Sequence, residues 1–191
     1  MSNQKVIKSK YYNDRPYWFR GLNAVWKASY PIGAKANLDR DNLLKTAQKI
    51  TGLNDFGKDF QVEPLDRLIT SIREEAQLHP IGYFITRQRF INLLNIRLRA
   101  EWWFKKHPEI LEQPLYPVWM IMGLQRTGTT KLHRLLAADP DNRVLSSWEA
   151  INPVPLCKKW RSRDKRPKIA RISEWALRLM APGFFAIHPV E

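Results

Sequence analysis

Cysteine is nearly absent from this chain. Cys157 stands alone, so no intrachain disulfide can staple the fold, and a reducing cytoplasm is the expected compartment. Acidic residues are scarce beside basic ones, 18 against 32, which leaves a formal net charge of +14. That excess calls for an anionic partner: a nucleotide, a phosphorylated or sulfated substrate, a nucleic acid or an acidic lipid. Long apolar runs are missing too. A spanning helix needs roughly 18 uninterrupted apolar residues, and the nearest approach, Trp175 to Ile187, is interrupted by Arg178, Pro182 and Gly183. The first residues, MSNQKVIKSKYYNDRP, have no apolar core of the signal-peptide kind. No cluster of metal ligands is visible.

What is present suffices for a core. The apolar fraction is 44% of 191 residues, compatible with one domain or one domain with a small appendage and incompatible with wholesale disorder. Residues 1–35 are basic and aromatic without a clean period and read as an arm over the body or an interfacial contact. Leu38 to Ile50 reads as a helix capped by Asp39 or Asp41, with Leu43, Leu44, Ala47 and Ile50 on one face and Gly52 as its stop. Leu65 to Leu78 reads as a second helix, turning Leu65, Leu68, Ile69, Ile72 and Ala76 inward. Arg87 to Lys106 reads as a third, burying Phe90, Leu93, Leu94, Ile96 and Leu98.

The composition changes after Glu112. Val118 to Met122 is apolar at every position, the pattern of a parallel strand covered on both faces. Thr129 to Ala138 then reads as a helix with Leu132, Leu135 and Leu136 inward, Asp139-Pro140 ends it, and Arg143 to Ser146 reads as a second strand. A strand, helix, strand order implies a right-handed parallel unit. The expected fold is therefore α/β: a partial P-loop-like parallel sheet core over residues 114–191, preceded by a helical region over 1–113. Two parallel strands make no stable sheet by themselves, so the chain reads as the N-terminal part of a longer protein.

Between the first strand and its helix lies the loop Gly123 to Gly128. Its Gly-x4-Gly spacing is that of a triphosphate loop, but Thr129 stands where the lysine belongs. The missing lysine argues against triphosphate hydrolysis. Backbone N–H groups at a helix start, the hydroxyls of Thr129 and Thr130 and the cation Arg126 instead suit a single tetrahedral anion carrying a good leaving group.

At these residues the chain resembles the sulfotransferases that use 3′-phosphoadenosine 5′-phosphosulfate (PAPS), and most closely the bacterial-type family with an RTGTT loop. The resemblance rests on Arg126-Thr127-Gly128-Thr129-Thr130, Leu132 to Ala137, Asp139-Pro140, Arg143 and Trp148-Glu149, and more weakly on Thr51 to Gly57 and Arg97 to Glu101. It implies that the backbone of residues 126 to 130, with Thr127, Gly128, Thr129 and Thr130, wraps the 5′-phosphosulfate. It implies that Arg126 neutralises charge on the leaving phosphate, with no metal required. Glu149, expected at the end of the second strand, is the candidate base for a hydroxyl acceptor, with Trp148 expected to raise its pKa by desolvation; capping or pairing with Arg143 or Arg126 is the plainer alternative.

The acceptor implied is a small molecule, glycan or lipid, and no nucleic-acid partner is expected. The residues that hold the 3′-phosphate in this family have no counterpart before Glu191, so this chain alone is expected to bind the donor poorly. The basic run Lys158 to Arg171 reads as a solvated face or a contact for acidic substrate. His79 and His107 read as helix-end residues, His133 as a helix-surface residue, and His188 lies near the end of the chain. Two other readings compete: a nucleotide-dependent kinase with an atypical P-loop, and a noncatalytic basic module for anionic polymers or membranes.

Overall fold

The computed structural model describes residues 17–28, 37–124, 127–156 and 164–180. Regular structure among them is helical: α1 (Tyr17–Ala28), α2 (Arg40–Thr51), α3 (Glu63–Glu74), α4 (Pro80–Lys106), a 3₁₀ turn at Pro108–Ile110, α5 (Thr129–Ala137), α6 (Ser147–Ile151) and α7 (Arg166–Met180).

Local chemistry sets the helix ends. Asp39 caps α2 by accepting the Asn42 N–H at 3.0 Å, and Gly52 closes it in the left-handed region at φ 64, where a Cβ would be strained. α3 stops earlier than its apolar pattern suggests, because Gln77 turns left-handed at φ 43 before Leu78 is reached. α4 begins earlier than expected. Pro80 occupies its first turn, where a missing N–H costs nothing, and the ring Nδ1 of His79 accepts from the Gly82 N–H at 3.0 Å.

The core lies where α2 and α4 cross, with α3 against α2 and α1 against α4. Leu38, Leu43, Ala47, Ile69, Phe90, Ile91, Leu94 and Leu98 form it, and Leu43 and Leu98 are fully buried. Each such leucine contributes roughly 1.5–3 kcal/mol by leaving water. The segment between α2 and α3 folds back over α4. There Phe56 and Phe60 stack at 4.7 Å, and Arg97 donates from Nε to the Phe56 carbonyl at 2.7 Å while pairing with Glu101 at 3.0 Å. Lys105 pairs with Asp55 from the last turn of α4. Gly57 is needed in this strap: at φ 85, an added Cβ would stand 2.3 Å from Glu101 Oε1.

The expectation of an α/β sheet core is overturned: no strand exists among the described residues. Val118 to Met122 has no regular structure and joins no ladder, and it is open to solvent, with Val118 86% and Trp119 83% exposed. Arg143 to Ser146 is likewise irregular and does not pair with it. The error has a plain cause. An apolar run reports a demand for burial, whereas a strand is defined by hydrogen bonds to a neighbour, which the run itself cannot supply. The same overestimate affects helix faces. Ile50, Leu68, Leu93, Leu132 and Leu135, all expected inward, are exposed, and Ala76 lies beyond α3 and is exposed as well. The contact between α2 and α4 is narrower than the apolar stripe, and α5 shares no extensive contact with another described helix.

Replacing Leu98 by alanine should therefore lower stability by about 2–5 kcal/mol. Leu93→Ala, about 1.4 helical turns away, should change it by less than about 0.5 kcal/mol. Urea unfolding of the two variants measures both, and equal losses would contradict the packing described.

Candidate functional site

Arg126 and Gln125 lie outside the described residues, so the structure places the rest of the loop without its expected cation. Gly123 sits where the chain approaches itself closely: a Cβ there would stand 2.8 Å from Thr127 Oγ1 and 3.0 Å from Thr129 Cγ2. The Thr127 hydroxyl donates to the Leu124 carbonyl at 2.7 Å and so closes the turn from inside. Gly128 is the N-cap of α5 at φ 87, ψ 11, a left-handed conformation that favours glycine. It carries no capping side chain, and the first N–H returned to it is that of Leu132, at 3.0 Å from the Gly128 carbonyl. The amide groups of Gly128, Thr129, Thr130 and Lys131 therefore have no acceptor within the helix, and the positive end of the α5 dipole is uncovered by any side-chain cap. Thr129 is half-buried beside Gly123, and Thr130 is exposed. His133 is exposed on α5, consistent with a helix-surface residue, and His188 lies outside the described residues.

After α5, Asn142 ties the turn down by donating from Nδ2 to the Leu136 carbonyl and to Asp139 Oδ2, both at 3.2 Å. Glu149 was expected at a strand end; it lies instead in the first turn of α6. There it forms a capping box with Ser146, accepting the Ser146 N–H at 2.9 Å on one oxygen and Arg143 Nη2 at 2.8 Å on the other. The Ser146 N–H, followed by the Arg143 charge, holds the Glu149 carboxyl below the usual carboxylate range. That direction opposes the rise expected from Trp148. The Trp148 ring is engaged elsewhere, with the Arg166 guanidinium 4.8 Å from its centroid.

Arg166 is the residue that sequence reasoning missed. It was read as part of a solvated basic run, yet its side chain is only 15% exposed. It stacks on Trp148, donates Nη1 to the Asn152 carbonyl at 3.0 Å and pairs with Asp164 at 2.8 Å. These contacts join α6 to α7. The available signal was Asp164, the lone acid of the run, two positions before the arginine. Much of the run, residues 157–163, lies outside the described residues. No group of metal ligands is found among the described residues, and none of their helices is long and apolar enough to cross a membrane.

An uncapped helix start behind a glycine-bracketed turn, on a strongly basic chain, is local structure of the kind that suits an oxyanion. Comparison with known proteins gives that chemistry a family. Residues 117–187, which include the whole loop, match the model of the sulfotransferase family. The crystal structure of sulfotransferase STF1 from Mycobacterium tuberculosis resembles the chain with a TM-score of 0.60 and 33% identity, over 72% of this chain and 39% of that one. The chain thus spans well under half the length of that enzyme. No curated protein matches it significantly.

Two outcomes follow from this geometry. Gly128→Ala places a Cβ in the left-handed region and should cost roughly 1–2 kcal/mol in thermal or urea unfolding; an unchanged midpoint would refute the conformation assigned to the cap. Because the folded-state pKa of Glu149 is depressed, its contribution is complete above the unfolded carboxylate value, near roughly 4.3, and is lost as pH falls through the folded value. Glu149→Gln should therefore unfold more readily than the parent at neutral pH, with the difference shrinking in acid. A constant difference across that range would contradict the direction of the shift.

Proposed function

We propose that residues 126 to 130 hold the 5′-phosphosulfate of PAPS, and that the chain serves transfer of the sulfuryl group to a hydroxyl or amine on a small-molecule, glycan or lipid acceptor. The observation that carries this reading is the uncapped start of α5 behind left-handed Gly128, inside the segment that matches the sulfotransferase family. The local shape suits such a group. Gly123 keeps Thr127 and Thr129 tight against the turn, and beyond its chain neighbours no atom of the described residues lies within 4 Å of where a Gly128 Cβ would stand. Bound PAPS supplies the sulfuryl group; the chain supplies position and charge.

In this reading the amides from Gly128 to Lys131 and the hydroxyls of Thr129 and Thr130 donate to the anion. The Thr127 hydroxyl, already given to Leu124, shapes the turn instead. Arg126 counters charge on the leaving phosphate. Glu149 remains the candidate base, and Arg143 must release it before it takes a proton, because both of its oxygens are engaged. The absence of lysine at Thr129 disfavours the kinase reading. A noncatalytic membrane or polymer contact draws separate support from α7, where Ile172 and Trp175 are exposed beside Lys168 and Arg171.

Titration with 3′-phosphoadenosine 5′-phosphate, followed by amide resonances, separates these readings. The amides of Gly123, Gly128 and Thr129 should shift on titration, even if binding is as weak as about millimolar, and Arg126→Ala should weaken the response roughly tenfold. ATP with magnesium should leave them in place. Loop amides that ignore the nucleotide, together with binding to anionic vesicles that survives Arg126→Ala, would favour the noncatalytic module.

A further inference from the structure

A second group of chemically equipped residues lies on α4, away from the loop's own residues. A cavity of about 280 Å³ opens between the end of α2, one flank of α4 and the segment after α6. Asn95, Arg99, Trp102 and Trp103 line it from α4, and Pro155 and Leu156 close it from the other side. Their spacing places the polar pair and the tryptophans on one stretch of helix surface, since residues three and four apart are neighbours there.

Three features of this wall point to a ligand. First, Asn95 Oδ1 is buried and has no hydrogen-bond partner among the described residues. A buried acceptor left unpaired is costly, and such atoms are uncommon in folded proteins. Second, Arg99 is half-buried, and its Nε is anchored on the Asn95 carbonyl at 3.1 Å. Among the described residues no carboxylate pairs with it. Burial, with the charge of Arg166 added, pushes its pKa below the ordinary value, so the site is short of negative charge. The guanidinium nonetheless stays protonated at neutral pH. Third, Trp102 and Trp103 meet edge to face at 5.0 Å and 84°, and Trp103 is buried, which makes a rigid aromatic wall.

We propose that this cavity binds a small ring-bearing anion that also carries a hydrogen-bond donor. The anionic group pairs with Arg99, the donor satisfies Asn95 Oδ1, and the ring packs against the tryptophan wall. The volume falls just below the usual range for ligand pockets, roughly 300–1,000 Å³, which suits one or two rings better than a whole adenine nucleotide. None of the residues lining it belongs to the loop proposed for PAPS. Because the wall is drawn from α2, α4 and the segment after α6, occupancy also links the helical region to the part of the chain that follows the loop.

The probes are 4-hydroxybenzoate, benzoate without the donor, and phenol without the charge, each titrated calorimetrically into the full chain. On the unsubstituted chain 4-hydroxybenzoate should bind saturably, with benzoate and phenol each weaker by roughly tenfold. Arg99→Gln should erase the preference for the carboxylate, and Asn95→Leu the preference for the hydroxyl. Circular dichroism checks that both variants fold. Equal affinity for the three probes, or no saturable binding of 4-hydroxybenzoate up to about 10 mM, overturns the proposal on the unsubstituted chain alone. Preferences that persist in folded variants overturn it as well.

Discussion

The crossing of α2 and α4 is the contact on which the rest of the structure depends. Among the described residues Leu43 and Leu98 are the largest fully buried side chains, and the remaining core residues gather around them. The polar strap from Asp55 to Phe60 then fastens the chain to the far end of α4 through Arg97, Glu101 and Lys105. Of its two ion pairs, Lys105–Asp55 is exposed on both sides and contributes little to stability by itself. Their effect is to set the path of the chain over an apolar core that is already stable by burial. The long helix α4 is thus both the floor of the core and, on another flank, the wall of the cavity at Asn95 and Arg99.

The loop is built on a different principle. It is governed by backbone conformation and by close approach, with little burial. Gly123 permits contact with Thr127 and Thr129, and Gly128 adopts the left-handed turn that leaves the first amides of α5 unmatched. Downstream, charge is arranged in pairs: Arg143 with Glu149 and Arg166 with Asp164, with Trp148 beneath the second arginine. On a chain with a formal charge of +14, these two pairs engage Glu149 and Asp164.

Much of the helical region was legible without coordinates, because its signals are local. Asp39 and Gly52 marked the ends of α2, and the apolar period picked out Leu43, Ala47, Leu94 and Leu98. The start of α4, expected at Arg87, lies at Pro80, where a first-turn proline is compatible with the helix. The loop was legible for a similar reason, since a glycine-bracketed turn before a helix is written in consecutive residues. The sheet was not. Pairing is a relation between distant segments, and the apolar run at Val118 to Met122 finds no strand partner among the described residues.

By itself, then, the sequence determined what depends on neighbours along the chain: the helix caps, the apolar faces, the shape of the loop and its likeness to the sulfotransferases. Only the tertiary structure decided which apolar stripes are covered, that Glu149 is held by Ser146 and Arg143, that Arg166 lies against Trp148, and that Asn95 and Arg99 share a cavity. Burial, ion pairing and the shift of a carboxyl pKa all depend on which groups meet across space. One-dimensional order specifies those meetings only through the folded packing of the whole chain.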